Sequence, residues 1–471
     1  MTTPAVSPEM TREALGGVWK ESPGPPSKAD WINARSDSRL IVEGDVFVAI
    51  PGARTDGHAH LEDARLKGAV FAVVQRPVPN SPLPQLVVAD TVLALRGLAT
   101  LALEAHRRMG HRLVTLTGSV GKTTTRELVR RGLVAEGGVH ASQGNENNEI
   151  GVPLTLLSWP KERAHCVLEA GVRKTGDIDY LAPLLKADVG IVTAIAPGHL
   201  ENLGSVESVW GEKSKLLREV LPGGTRVLPE PVRRSFGTDS LFGDHSRTLL
   251  LGSIGEEPTL PGTVVAHLRS APGMILHVEE WGVDLPLSRP SLALAWCSLL
   301  ALITLRALGV PPAEGAARLA GYEGLPGRME RKVLPSGLLL LLDHYNANPA
   351  SMREALDWLA RERTLRPGSR SFAILGDMLE LGEESGAFHE ASGRQAARTG
   401  IDRIWYRGME RPAFERGFRA EGGDPDRIRD AEEFVRDLGV SRGPEGGDIL
   451  LVKGSRGMKL EEVVAPLLEG I

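Results

Sequence analysis

The chain has 471 residues, which at roughly 150 residues per domain suggests about three domains. Hydrophobic residues make up 42% and charged residues 24%, the balance of a folded globular protein, so a disordered chain is excluded. With 55 basic against 60 acidic residues the net charge is −5, and no polybasic tail is visible, which argues against bulk binding to nucleic acid or an anionic membrane.

The N-terminus lacks a basic segment followed by an apolar one, so no signal peptide is expected. After a Pro-rich stretch around Ser22 to Ser27, IVEGDVFVAIPG and GAVFAVVQRP predict two strands, with a helical segment near His60 to Lys67 between them. A polar-faced helix over Thr91 to Arg108 leads into the strand LVTLTG, and the first domain boundary is placed inside that helix. Strand and helix patterns then alternate: RLVTLTG, a helix through Arg130, AHCVLEAG, a helix near Leu181, VGIVTAI, and a helix from Val206 to Val220. Such alternation predicts an α/β fold with a parallel sheet and right-handed crossovers. From Leu249 to Leu287 the pattern becomes short and period-two, which predicts a small antiparallel sheet beside the parallel one. The apolar run Ser291 to Leu305 stops short of the roughly 20 residues needed to span a membrane, so a buried helix is expected. From GLLLLLDHYNANP a second α/β series runs to the C-terminus. Cys166 and Cys297 lie in apolar runs and read as buried free thiols. The whole reads as a soluble, cytoplasmic protein.

The strongest chemical signal is TLTGSVGKTTT, Thr115 to Thr125. A strand enters a glycine-rich turn at Gly118, Ser119 and Gly121 and leaves in a helix, so backbone N–H groups and a helix N-terminus face phosphate oxygens. Lys122 would reach the β- and γ-phosphates, and the Thr123 hydroxyl would ligate Mg²⁺, with Thr124 beside it. Leu116 stands where the general pattern has its first glycine. Glu169 ends the strand CVLEAG, and His199 follows VGIVTAI. Each alone would be an ordinary loop residue. Their joint position at the ligand-binding end of a parallel sheet makes both candidate metal ligands.

TGSVGKTTT, GNENNEIGVPLTLL, VLEAG, APGHLENLGS, LLDHYNANPASM, AILGDMLELGEES and LVKGSRGMK follow one another in an order that resembles the Mur ligases. NNEIGVP, YNANP, GDMLELGEES and KGSRG favour the MurF type. The resemblance implies three domains: a UDP-sugar-binding domain over 1–100, a central P-loop ATPase domain over 101–328, and a Rossmann-like amino-substrate domain over 329–471. It further implies ATP and two Mg²⁺ as cofactors, UDP-MurNAc-tripeptide and D-Ala-D-Ala as substrates, an acyl-phosphate route to the amide, and a monomer.

Residue by residue, the resemblance gives Lys122, His199 and Lys213 catalytic parts. Lys213 aligns with the lysine that many relatives carry as a carbamate, a ligand for a second Mg²⁺; a surface lysine paired with a nearby acid is the plainer alternative. Arg328 and Asp343 match residues near the phosphates and the ATP ribose. Asn346 and Asn348 either line the cleft between central and C-terminal domains or shape a turn. Asn147 and Asn148 either meet the peptide end of the nucleotide substrate or cap a helix. Lys453 and Arg456 match partners for the carboxylate of the incoming dipeptide, and Ser38 and Arg39 match UDP-sugar contacts. His389 reads as a surface or packing histidine. Three departures stand out: His344 in DHYNAN, KTGDI in place of a PGE-containing stretch, and Pro290, Ser291 and Leu294 where relatives carry a histidine and two asparagines near adenine. Two further readings stay open: a ligase of this type serving another pathway, and a non-catalytic nucleotide-sugar-binding protein.

Overall fold

The computed structural model describes residues 6–21, 24–26, 30–31, 33–52, 55–144, 146–237, 247–255, 260, 262–269, 274–438 and 443–469. Residues 22, 23 and 27 of the Pro-rich stretch lie outside them. Three sheets follow one another along the chain. In the first, Val46–Val48 and Phe71–Val74 pair in parallel and are buried throughout, as the unbroken apolar runs VFV and FAVV require.

The helix Thr91–Arg108 starts where expected, because the Asp90 carboxylate accepts from the N–H groups of Val92 and Leu93 at 2.7 and 3.1 Å. Its buried face carries Leu95, Leu98, Ala99, Ala102 and Ala105, and it packs against both Pro8–Leu15 and Gly151–Leu157. The core around it is continuous: Trp31, Phe71 and Leu86 of the first unit join Leu98, Trp159, Leu168 and Leu203. The boundary expected at residue 100 therefore divides two sheets but falls inside a helix that both share.

The central sheet has nine strands. The P-loop strand Arg112–Thr117 lies between His165–Glu169 and Ala187–Val192, parallel to both. The antiparallel strands foreseen before Leu287 are present as Thr263–Arg269, Met274–Val278 and Val283–Leu287. They continue the edge of the same sheet, reached through the parallel strands Val220–Pro229 and Thr248–Ile254. The helix foreseen from Val206 to Val220 breaks at Ser214 into Val206–Lys213 and Lys215–Arg218, and Val220 already starts a strand. The apolar run forms the buried helix Leu292–Ala307 against the P-loop helix Lys122–Leu133. No helix among the described residues is long and apolar enough to cross a membrane. Both cysteines are buried and free.

The C-terminal sheet has six strands, parallel except for the edge hairpin Glu330–Val333 with Leu339–Asp343. Leu339–Asp343 lies beside Ile449–Lys453, so that Asp343 and Lys453 stand directly opposite each other at the strand ends.

Leu98 is fully buried in the shared core. Leu98→Ala is expected to destabilise the protein by about 2–5 kcal/mol. The first two sheets should unfold in one transition, followed by denaturant titration with tryptophan fluorescence and far-ultraviolet circular dichroism. A separate early transition of the first sheet would contradict the continuous core.

Candidate functional site

The P-loop is shaped by what lies under it. Gly118 has φ 154°, and a Cβ there would stand 2.0 Å from Thr193 Oγ1. Gly121, with φ 82°, is the last residue before the helix, and a Cβ on it would meet Cys297 Sγ at 3.0 Å. Only glycine fits both positions. Thr193 Oγ1 donates to the Val120 carbonyl at 2.5 Å, while Ser119 Oγ donates to the Ala196 carbonyl at 2.8 Å and accepts from the Ala196 N–H at 3.0 Å. The loop after Ala187–Val192 thus clasps the phosphate loop from one side. Lys122 Nζ donates to the Gly118 carbonyl at 2.7 Å and so arches over the loop. Burial pushes its pKa down, and Glu169 partly offsets this. Thr124 stands on the same first turn, half-buried.

Glu169 is the hub. Buried at the end of its strand, it accepts from Thr123 Oγ1 at 3.0 Å and from Asn147 Nδ2 at 3.0 Å, with Arg126 Nη1 at 3.4 Å. Its backbone N–H donates to Ser142 Oγ at 3.1 Å. Arg126 and Ser142 escaped the sequence reading. Arg126 had one usable signal, its place three residues beyond Thr123 on the same helix face.

Lys213 is 2% exposed. Burial lowers its pKa strongly, and the neighbouring charge of Lys122 acts in the same direction. The surface-lysine alternative does not hold. Its nearest acid in sequence, Glu212, accepts from the N–H groups of Gly176 and Ile178 at 3.1 and 2.9 Å and pairs with Lys215 at 2.6 Å. Among the described residues the Lys213 ammonium has no hydrogen bond and no ion pair. His199, at φ 55°, begins the short helix Leu200–Leu203, and its Nδ1 lies 2.5 Å from Glu380 Oε2 of the C-terminal domain. Burial lowers its pKa, with the Glu380 carboxylate opposing.

From the C-terminal side, Asn348 caps the helix Pro349–Thr364 through Ser351 and extends Nδ2 to the Ser119 carbonyl at 3.4 Å. It caps its own helix and at the same time contacts the P-loop from the C-terminal domain. Arg328 stacks on Tyr345 with its guanidinium carbon 3.8 Å from the ring centre. Asn346 is exposed, with its carbonyl held by Lys453 Nζ at 2.6 Å. Lys453, expected to meet the incoming carboxylate, is instead 1% exposed and spent on Asp343 Oδ2 at 2.8 Å and on that carbonyl. The strand register explains the difference, since it sets the two charges opposite each other in a buried sheet. Arg456 remains largely exposed beside Glu461 at 3.1 Å, its guanidinium carbon 5.5 Å from the Tyr345 ring centre. Asp343 Oδ1 also accepts from the Met329 N–H at 3.0 Å, which ties the domain junction.

Some residues lie apart or turn to structural work. Just before Gly151–Leu157, Asn148 Oδ1 accepts from the N–H groups of Ile150 and Gly151 at 3.2 and 2.8 Å. Ser38 is buried in a short helical turn, and Arg39 is an exposed partner of Asp37 at 2.7 Å, whose carboxyl it draws down to about 2. At the start of the helix Leu292–Ala307, Ser291 Oγ donates to Glu354 Oε1 of the C-terminal domain at 3.0 Å. His344 packs its ring on Gly327, and His389 is buried, accepting from the Met378 N–H at 2.8 Å.

No cluster of three or more His, Cys, Asp and Glu side chains among the described residues is built to hold a metal. The donors present suit Mg²⁺, which takes one or two carboxylates and draws its other ligands from phosphate and water. The Mur ligase middle-domain family matches residues 116–241, and the Mur ligase, glutamate ligase domain matches 327–456. The UDP-N-acetylmuramoyl-tripeptide–D-alanyl-D-alanine ligase of Bacillus subtilis (strain 168) is 31% identical over 455 residues, covering 92% of each chain. Crystal structure I of MurF from Acinetobacter baumannii superposes with a TM-score of 0.81 at 28% identity over 99% of each chain. MurF ligase from Thermotoga maritima in complex with ADP gives 0.75 at 26% identity, over 92% of this chain and 96% of that one.

Gly118→Ala would drive a methyl into Thr193 and leave φ unsupported. Affinity for an ATP analogue, read by calorimetry, should fall by about tenfold, or about 1.4 kcal/mol. Adding Thr193→Ala should recover part of the loss, since it removes the clash but not the backbone strain.

Proposed function

The chain belongs to the Mur ligase family, and from that premise we propose that it joins D-alanyl-D-alanine to the free carboxylate of a UDP-N-acetylmuramoyl-tripeptide at the expense of ATP, in peptidoglycan precursor synthesis. The observation that carries this reading is the P-loop, with Lys122 and Thr123 set against buried Glu169 and tied to the C-terminal domain through Asn348. The γ-phosphoryl group passes to the substrate carboxylate with release of ADP. The dipeptide amine then attacks the acyl carbon, and phosphate leaves as the amide forms.

Such a transfer depends on positioning and charge neutralisation. Lys122 and the N–H groups of Gly121 to Thr123 bind the phosphates, while Arg328 approaches from the domain junction. Thr123, Glu169, His199 and carbamated Lys213 would hold Mg²⁺, which when bound neutralises phosphate charge. A buried lysine amine without an ion pair supports the carbamate, because a carbamate replaces a buried ammonium with oxygen donors. Asp343 retains lone pairs for a ribose hydroxyl. Asn147 orients the peptide end of the nucleotide substrate, Ser38 and Arg39 bind its UDP-sugar, Asn346 lines the cleft, and Arg456 meets the dipeptide carboxylate. Lys453 acts indirectly, by fixing Asp343 and the Asn346 carbonyl. The enzyme acts in the cytoplasm as a monomer.

Phosphate release should require ATP, the UDP-linked tripeptide and D-Ala-D-Ala together, and single amino acids should not replace the dipeptide. Lys122→Ala should cut turnover by at least about 100-fold with an unchanged melting temperature. Turnover with single amino acids but not with the dipeptide would move the chain to another amine substrate.

Lys213→Ala should also lose most activity, and short-chain carboxylic acids in the assay should restore part of it by supplying the missing oxygens. Lys213→Arg should not be rescued, because its guanidinium keeps the charge and fills the space. Near-full turnover of the alanine variant would remove the carbamate from the mechanism.

A further inference from the structure

Glu380 and His199 come from different domains, and each departs from ordinary backbone geometry. They are two of only five non-glycine residues with left-handed φ among the described residues, at 64° and 55°, and they touch each other at 2.5 Å. Such backbone outliers cluster at functional sites. The loop that carries Glu380 is rigidly built. Asp377 accepts from Tyr406 Oη and the Met409 N–H at 3.0 and 2.7 Å, the Met378 N–H donates to His389 Nε2 at 2.8 Å, and the Leu379 N–H donates to Ser455 Oγ at 3.0 Å. Two residues on, Gly382 lies so close to Glu201 that a Cβ there would stand 3.3 Å from its Cα. The loop is therefore docked backbone to backbone beside His199. Nothing in its own domain uses the Glu380 carboxylate, and His199 is its one ion-pair partner among the described residues. The His199 Nδ1 is buried, and the Glu380 carboxylate is its one polar contact among the described residues, an ion-pair contact without hydrogen-bond alignment.

We propose that Glu380 is a positioning residue, which holds His199 by Nδ1 and leaves Nε2 as the nitrogen available to the metal ion, so that docking of the C-terminal domain completes the metal site. A carboxylate on the far nitrogen is the usual way a metal-binding imidazole is fixed in ring orientation and tautomer. This inference rests on the reading of His199 as a metal ligand.

The test is Mn²⁺ binding to the full-length protein with a nonhydrolysable ATP analogue, followed by electron paramagnetic resonance. His199→Ala and Glu380→Ala should each weaken Mn²⁺ binding by about tenfold. If His199→Ala weakens it while Glu380→Ala stays within twofold, Glu380 has no such part and the function stands. If neither changes it, His199 is not a ligand, and both ideas fall. Should the alanine variant not fold, Glu380→Gln preserves the packing. Nitrogen-15 shifts of the His199 ring should then report a smaller share of the Nδ1–H tautomer, and an unchanged tautomer and affinity would overturn the proposal.

Discussion

A buried carboxylate needs partners, and in this protein the need of Glu169 organises the site. Taking a charge out of water costs several kcal/mol unless hydrogen bonds and counter-charge replace the lost solvent. Glu169 meets that demand with Thr123 from the first turn of the P-loop helix, Arg126 from the next, and Asn147 from the loop before Gly151–Leu157. Two segments distant in sequence, the P-loop helix and the loop of Asn147, are thereby held at the end of one strand. The hydroxyl, the carboxylate and the amide beside the P-loop are arranged by the same contacts that keep the carboxylate satisfied.

The C-terminal domain is set against this hub by polar contacts at several points. Asn348 reaches Ser119, Ser291 reaches Glu354, and Glu380 reaches His199. On the central-domain side each starts from a loop or a helix start: Ser119 in the P-loop, Ser291 and His199 at helix N-caps. Polar contacts of this kind exchange readily for water, unlike a continuous apolar core. The Asp343–Lys453 pair works differently. It is buried within a single sheet, and it steadies the strand ends from which the loop Tyr345 to Asn348 departs. Burial raises the pKa of Glu354, and Ser291 and the Ala293 N–H at the start of Leu292–Ala307 share its carboxylate at 3.0 and 3.5 Å.

Much of the architecture was legible without coordinates. Local patterns determined the helix Thr91–Arg108, the buried helix Leu292–Ala307, the strand before the P-loop and the Gly-Lys-Thr turn itself, because capping, periodicity and glycine requirements act over a few neighbouring residues. Ordered motifs marked Glu169, His199 and Lys213 as belonging to one site. Their partners were not legible. Thr193 and Glu354 carry no local signature, Arg126 had only its place on the Thr123 face, and Glu380 lay unremarked inside the motif GDMLELGEES; each acquires its part through a contact with a residue far away in sequence. The same distance effect turned Lys453 from an expected ligand contact into the internal partner of Asp343, and removed Glu212 as a partner for Lys213 by giving it to Lys215 and the backbone near Gly176. The sequence by itself determined which elements form and which chemical groups they carry, since those depend on short-range sterics and burial. Strand register and domain docking decided which charges neutralise one another, because electrostatic partners in a folded chain are chosen by distance in space.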